Sequence, residues 1–327
     1  VYEDANHYPN NARITQTTVQ AMLARVYLHM AGEPLKDASA WMSARDWARK
    51  VVASGQHRLD PKYEDVFIRM IQETPDLDYR ESMWEVEFHG VDGESPRTNG
   101  IFGGQNGIYC RNPDIGFAYQ ALCITRTMLA CYNEDPNDKR RDWNIATYTY
   151  GASATNTTKI PITNVEGYFI GKYRKDVYTG PKGNNFTSTN YPAMRYADVL
   201  LMLAEAANEA DGPTDEAINA LNQVRERAGV ALCANKVETG KISLTNRDEF
   251  RAFIKKERAR ELCYELRTRA DLLRWGDLVS EIKATASTMA TSLAKLGGNN
   301  ITDKHVLFPI PATELNTNKL AVQNPGW

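Results

Sequence analysis

The sequence predicts a mainly α-helical scaffold that carries long polar loops, and three observations predict it. Apolar residues recur at helical spacing in two separated pairs of segments. Turn and capping residues bracket those segments. The stretch between the pairs loses the period and fills with Gly, Asn, Thr and isolated aromatics.

In chain order, Arg13 to Ala31 comes first, with Val19, Met22, Leu23, Val26, Tyr27 and Met30 as an amphipathic stripe and Gly32 with Pro34 as the stop. A second helix is expected from about Ala38 to Ser54, with Ala44, Trp47, Ala48, Val51 and Val52 inward. Gly55 is placed for the left-handed residue that ends a helix, and the two helices form a hairpin. Met83 to Phe88 alternates apolar and acidic residues like a short strand. Gly90 to Asn112 is loop-rich, Phe117 to Tyr132 is read as a short helix, and Trp143 to Asn190 returns to polar loops. The second hairpin joins Tyr196–Ala210, with Val199, Leu200, Leu203, Ala204 and Ala207 inward, to Thr214–Arg227, with Ala217, Ile218, Leu221 and Val224 inward. Asp211-Gly212-Pro213 is the turn between them, and Thr214 is the N-cap ahead of acidic Asp215 and Glu216. Further helices are expected near Asp248–Glu265 and Gly276–Leu296. Each hairpin spans about forty residues, the proportion of a tetratricopeptide-like unit, but the two lie too far apart for a tandem array.

Composition narrows the function. Lys plus Arg number 39 against 41 Asp plus Glu, so the basic footprint of a nucleic-acid binder or polybasic membrane-surface protein is missing. At 42% hydrophobic and 24% charged, the chain falls among foldable globular sequences. The longest strongly apolar run, Val199 to Ala204, is broken at Glu205, far short of the roughly 20 residues of a membrane span. Val1-Tyr2-Glu3-Asp4 offers no targeting segment and no lipidated Cys, so any anchor is expected outside this chain. The five Cys (Cys110, Cys123, Cys131, Cys233, Cys263) form no Cys-x-x-Cys pair. Cys123 and Cys131 are expected as small buried hydrophobes, and one disulfide is left open.

No motif supplies catalysis or a cofactor. Glu257, Glu261 and Glu265 stand at i, i+4, i+8, which on a helix stacks carboxylates about 5–6 Å apart and invites a glycosidase reading. Carboxylates on one helix face cannot flank a scissile bond, and Arg258, Arg260, Arg267 and Arg269 would hold them ionised; a structural ion-pair network is the expectation, as for Glu205 and Glu209. Phosphate loops, dinucleotide fingerprints, zincin motifs and nucleophile elbows are missing, and His7, His29, His57, His89 and His305 are scattered, so no metal and no cofactor is expected. Asp135, Asp138 and Asp142, interleaved with Lys139, Arg140 and Arg141, read as solvated surface rather than a calcium site. The Gly-rich Phe102–Gly107 run lies amid loop residues and reads as loop rather than phosphate site. The 16 Tyr and 6 Trp outnumber 9 Phe, and rings with a polar handle on loops suit a ligand apolar on its faces and hydroxylated at its edges, as sugar is. Phe102, Tyr109, Trp143, Tyr148, Tyr150, Tyr178, Phe186 and Tyr191 lie in such loops; the competing reading is that each ring pins its loop to the core. The glycan-binding candidates are Phe102, Asn106, Tyr109, Arg111, Trp143 and Tyr148.

Three segments together resemble a family. Met194-Arg195-Tyr196-Ala197-Asp198-Val199-Leu200-Leu201 to Ala204-Glu205-Ala206 resembles a signature helix of the SusD/RagB family of Bacteroidetes nutrient-binding lipoproteins. Glu257-Arg258 through Asp271-Leu272-Leu273-Arg274-Trp275-Gly276 is similar to that family's next signature, and Pro309-Ile310-Pro311 to Gln323-Asn324-Pro325-Gly326-Trp327 to its C-terminus. Leu266 and Arg269-Ala270 depart from the usual pattern at the local turn.

The resemblance implies one SusD-like unit over 1–327. Tetratricopeptide-like hairpins lie near 13–55 and 192–229, a loop-rich ligand region at 84–191, and the signature helix and tail at 248–327, with only a few short strands. Members are typically longer, with a lipidated Cys and two further hairpins ahead of the part matched here. The resemblance also implies a non-catalytic binder of oligosaccharides on the extracellular face of the outer membrane, delivering to a SusC-like TonB-dependent transporter. Contact with the membrane would be only through the lipid anchor. Two rival readings are a helical glycoside hydrolase using Glu85, Glu87 or a Glu257-type carboxylate, and a tetratricopeptide-type protein-interaction scaffold.

Overall fold

Helix α1 (Gln16–Ala31) starts where the Thr15 hydroxyl accepts the Thr18 N–H, so the readable pattern from Arg13 begins three residues early. The computed structural model describes residues 11–88, 100, 102–104, 106–119, 121–180, 187–290 and 293–327. Helix α2 (Ala40–Ala53) packs along α1, and Gly55 takes the expected positive φ of 65° just beyond its end. Their shared face is Ala21, Ala24 and Leu28 against Ala44, Ala48 and Val51. The α1 stripe is therefore rotated from the one the larger apolar residues suggest, and Val26 is exposed. Alanines let two backbones approach closely, a gain that outweighs placing bigger side chains in the same seam.

Helix α3 (Tyr63–Gln72), which the periodicity did not single out, comes next; strand β1 (Ser82–Val86) then takes the position the alternation predicts. Helices α4 (Arg126–Asn133) and α5 (Arg140–Asn144) precede four two-residue strands, β2 (Ile145–Ala146), β3 (Tyr148–Thr149), β4 (Ile160–Pro161) and β5 (Phe169–Ile170). The short helix expected from Phe117 begins only at Arg126, because Thr125 is its N-cap and Ala118 and Cys123 are drawn into bridges with Cys110 and Phe169. Cys123 is accordingly exposed rather than buried, Cys131 is half-buried, and no disulfide joins any of the five cysteines.

Strand β6 (Tyr191–Arg195) pairs antiparallel with β1, Ser82 opposite Arg195 and Val86 opposite Tyr191. It leads directly into α6 (Tyr196–Asp211), which is buried on every side from Tyr196 to Asn208 and packs against α1, α2, α7 (Asp215–Ala228) and α8 (Arg247–Leu262). A helix buried all round belongs at the centre of a core, and α6 is that centre, with its Asp198 and Glu205 ion-paired. Between α7 and α8 the two-residue strands β7 (Cys233–Ala234) and β8 (Ile242–Ser243) pair in parallel.

The helix expected to reach Glu265 ends at Leu262: Cys263 is extended and Tyr264 and Leu266 have positive φ. Glu265 therefore does not continue the i, i+4 row. Helix α9 (Thr268–Trp275) is a separate element. The single helix expected over Gly276–Leu296 is two, α10 (Leu278–Thr288) and α11 (Leu293–Asn300), because Met289 is extended. After α12 (Ala312–Thr317) the tail folds back: the Gln323 amide both donates to and accepts from the Ile310 backbone at 3.0 and 2.8 Å, and Trp327 Nε1 donates to the carbonyls of Lys304 and Leu307.

Candidate functional site

The carboxylates that most resemble catalytic groups are sealed. Glu257, Glu261 and Glu265 are buried; of the flanking arginines Arg260 pairs with Glu257 at 3.4 Å, and the other cations come from distant sequence. Arg195, at the end of β6, donates to Glu81 (2.7 Å), Glu265 (2.7 Å) and Glu261 (3.1 Å); Arg227 joins Glu261 (2.6 Å) to Glu81 (3.0 Å). Arg140 bridges Asp138, Glu257 and Glu261, Arg225 holds Glu257 at 2.6 Å, and Lys172 Nζ reaches Glu265 at 2.8 Å. Burial works against ionising Glu261, but Arg227, Arg195, Arg140 and Lys172 outweigh it and hold the carboxyl well below its usual range. Asp138 and Arg140 are thus buried parts of this network and not the solvated surface their charge pattern suggested. Arg258 serves a second buried set, Asp198 and Asp271, and Glu205 accepts from Arg274 and from Trp275 Nε1. Arg267 and Arg269 instead donate to the carbonyls of Ala193 and His305.

Outward of this network the loops gather on one face. Lys172 is the hinge between the two regions: its amine lies against Glu265 and the Glu261 carbonyl, while the chain beyond it runs into Tyr173, Asp176 and Tyr178. The 111–119 turn leans on that segment. Gly116, at φ 129°, is so close to Lys175 that a Cβ would sit 2.6 Å from the lysine Cβ, and Lys175 Nζ donates to the Phe117 carbonyl at 3.0 Å. Tyr109 is tied to the β3 region through the Thr149 hydroxyl and the Tyr150 N–H, both donating to its carbonyl. Arg111 stands among three rings, 5.6 Å from Tyr109, 4.9 Å from Phe117 and 5.5 Å from Tyr119. The hydroxyls of Tyr148 and Tyr150 both donate to Asp176 Oδ2 at 2.9 Å. Burial, then the Asp176 charge, pushes both phenols well above their ordinary pKa, so they remain donors.

The six candidates divide in two. Tyr109 and Tyr148 both pack on the buried cluster of Ile108, Cys110, Ala146, Tyr150 and Phe169, with Arg111 beside Tyr109, and half-buried Asn106 lies in the adjoining turn. Phe102 and Trp143 pack instead on the cluster of Tyr63, Phe67, Met70 and Tyr173, with Phe102 4.4 Å from the Tyr173 ring and Arg174 4.2 Å above Trp143. Tyr191 joins that cluster through Phe102, and Phe186, like Gln105 of the Gly-rich run, lies outside the described residues. Sequence reasoning missed Asp114 and Asp176, which line an open pocket with Tyr178. The signal present was a polar run, Lys175 to Gly180, carrying one aromatic. Among the described residues no group of three His, Cys, Asp or Glu is placed to hold a metal, and no helix is long and apolar enough to cross a membrane.

The residues of the buried network fall within a longer matched segment. A protein-family model described as the SusD family matches residues 81–327. The chain belongs to the SusD family. Among relatives of SusD type it is similar to SusD-like protein P2 of Formosa agariphila, 27% identical over 332 residues, taking in 96% of this chain and 60% of the relative. It is also similar to the starch-binding protein SusD of Bacteroides thetaiotaomicron, 28% identical over 142 residues, 43% of this chain and 22% of that protein. The crystal structure of a SusD homolog from Bacteroides thetaiotaomicron superposes with a TM-score of 0.87 at 30% identity, covering 100% of this chain and 67% of the homolog. The chain thus spans 60% of the length of the SusD-like relative P2. The SusD fold is helical with tetratricopeptide-like hairpins, as the spacing predicts.

Proposed function

We propose that this chain binds oligosaccharides without altering them and belongs to a surface-associated nutrient-uptake system, delivering ligand to a SusC-like TonB-dependent transporter at the extracellular face of the outer membrane. The observation that carries the reading is the loop face on which Tyr109, Arg111, Tyr148 and Asp176 converge, with half-buried rings and hydrogen-bonding groups at their edges. SusD-family membership and the name of the starch-binding relative support it. Tyr109, Arg111, Tyr148 and Asn106 meet the ligand in this reading, and Phe102 and Trp143 hold the loop bases. The hydrolase alternative loses its Glu257-type carboxylates, which are ion-paired and out of reach of substrate. Glu85, for its part, accepts from the Asn11 and Asn190 amides.

Calorimetric titration of the chain against a panel of oligosaccharides tests the proposal. The expected affinities are micromolar to millimolar, about −4 to −8 kcal/mol, because an open face leaves much of a hydrated ligand in water. No reducing sugar should be released from any ligand that binds. Failure to bind any glycan by a folded chain would overturn the reading, and partner capture without sugar binding would favour a protein-interaction scaffold.

A further inference from the structure

Arg111 stands on the loop face as a cation without an acid. Its Nε donates to the Tyr109 hydroxyl at 3.4 Å, its guanidinium lies over the rings of Tyr109, Phe117 and Tyr119, and no carboxylate pairs with it among the described residues. Nη1 and Nη2 find no acceptor among those residues, and neither belongs to the sealed polar atoms. The residue is half-buried, so its charge is partly stripped of water and offset only by the rings. The guanidiniums of the core differ: Arg140 and Arg195 each meet three carboxylates.

A second cation repeats the arrangement on a neighbouring ring. Exposed Lys159 holds its amine 4.2 Å from the Tyr148 ring, again with no acid partner among the described residues. Tyr109 and Tyr148 pack on one buried cluster, which brings both cations to the same part of the face. The acids there do not neutralise them. Asp176 Oδ2 accepts the Tyr148 and Tyr150 hydroxyls at 2.9 Å each, and exposed Asp114, three residues beyond Arg111, forms no ion pair with it.

We infer that this face selects glycans carrying a carboxylate or sulfate group, with Arg111 as the specificity-determining cation and Lys159 as a second, weaker one; the inference rests on the glycan-binding reading. The stacked rings fix the plane of the guanidinium, and its two free ends present parallel N–H donors that match the paired oxygens of either oxyanion. A sugar hydroxyl accepts from such a fork without bringing the opposite charge.

The test is calorimetric titration with matched pairs: oligogalacturonate and oligomannuronate beside their carboxyl-reduced forms, and a sulfated galactan oligosaccharide beside its desulfated form. At least one charged member should bind about tenfold or more tighter than its neutral counterpart in dilute buffer. A preference in the uronate pairs alone assigns a carboxylate ligand, and one in the sulfated pair alone a sulfate. Arg111→Gln should bring the two members of that pair within about threefold of each other while leaving the thermal midpoint within a few degrees, and Lys159→Gln should shrink the ratio by about twofold or more. Lys319→Gln, an exposed lysine of the C-terminal tail, should leave the ratio unmoved. Neutral members binding as tightly as charged ones in every pair, a preference that survives Arg111→Gln, or one that Lys319→Gln erodes as far as Arg111→Gln does, would overturn the inference and leave the glycan-binding reading standing. Absence of binding to every member, charged and neutral, would overturn both.

Discussion

Glu261 ties four elements of this molecule together: its own α8, and α7, α5 and β6, which reach it through Arg227, Arg140 and Arg195. Glu261→Gln removes one charge from beside three buried guanidiniums, leaving Arg227 with Glu81, Arg195 with Glu81 and Glu265, and Arg140 with Asp138 and Glu257. Loss of one partner from a buried pair costs about 3–5 kcal/mol, so this variant should show a urea midpoint far below the parent, or fail to fold. On the loop face a residue has the opposite character. Arg111→Ala should weaken glycan binding by about tenfold while changing stability by less than about 1 kcal/mol, since its contacts are with the rings of Tyr109, Phe117 and Tyr119. Tyr109→Ala, by contrast, also removes a ring packed on the cluster of Ile108, Cys110, Ala146, Tyr150 and Phe169 and should destabilise the chain as well. Calorimetry and denaturation on the same preparations separate the two effects.

Helix ends were legible in sequence where a side chain caps them. Thr214 accepts the Ala217 N–H ahead of Asp215 and Glu216, as its position predicts, and Thr214→Ala should cost about 1 kcal/mol in urea unfolding without touching ligand affinity. Caps also explain the elements that were misjudged. Thr125, as N-cap, starts α4 at Arg126, nine residues later than apolar spacing from Phe117 suggests, and extended Met289 divides α10 from α11. The burial face of α1 could not be read from residue size, because close packing of Ala21 and Ala24 against α2 decides it and that partner is chosen in three dimensions. The carboxylate row of α8 was legible as structural, and so was Arg260 beside Glu257, but the cations of Glu261 were not: Arg140, Arg195 and Arg227 stand far off in sequence and meet it only after the chain has folded. The site was half legible for a related reason. Aromatic loop residues were found, but whether a ring such as Phe102 or Trp143 faces ligand or core depends on Tyr173 and Phe67 behind it.

Across the whole molecule, pH should act in two stages. His57 is buried between the Thr17 hydroxyl and the Arg80 carbonyl, and burial lowers its pKa below the usual 6.5. The unfolded chain therefore takes the proton more readily, so the stability His57 contributes is present above about pH 6.5 and is lost as pH falls through its folded value. Glu257, Glu261, Glu265, Asp198 and Asp271 resist ionisation through burial but are held below their ordinary values by the cations around them, and their contribution is present above about pH 4.5 and disappears at lower pH. Urea midpoints measured across pH 8 to 3 should fall gently at first and then steeply. His57→Gln should shrink the first stage to the part due to His29, whose pKa burial also lowers, and leave the second.

The sealed network has one more consequence, for ionic strength. Dissolved ions screen charges they can approach, over about 8–10 Å at physiological concentration, and Glu257, Glu261 and their guanidiniums are 0–3% exposed. The framework should therefore unfold at nearly the same urea concentration in dilute buffer and in strong brine. Solvated pairs such as Lys256 with Glu134, about half exposed on both sides, should weaken as salt rises, so a sodium chloride titration distinguishes the sealed network from the charges on the surface.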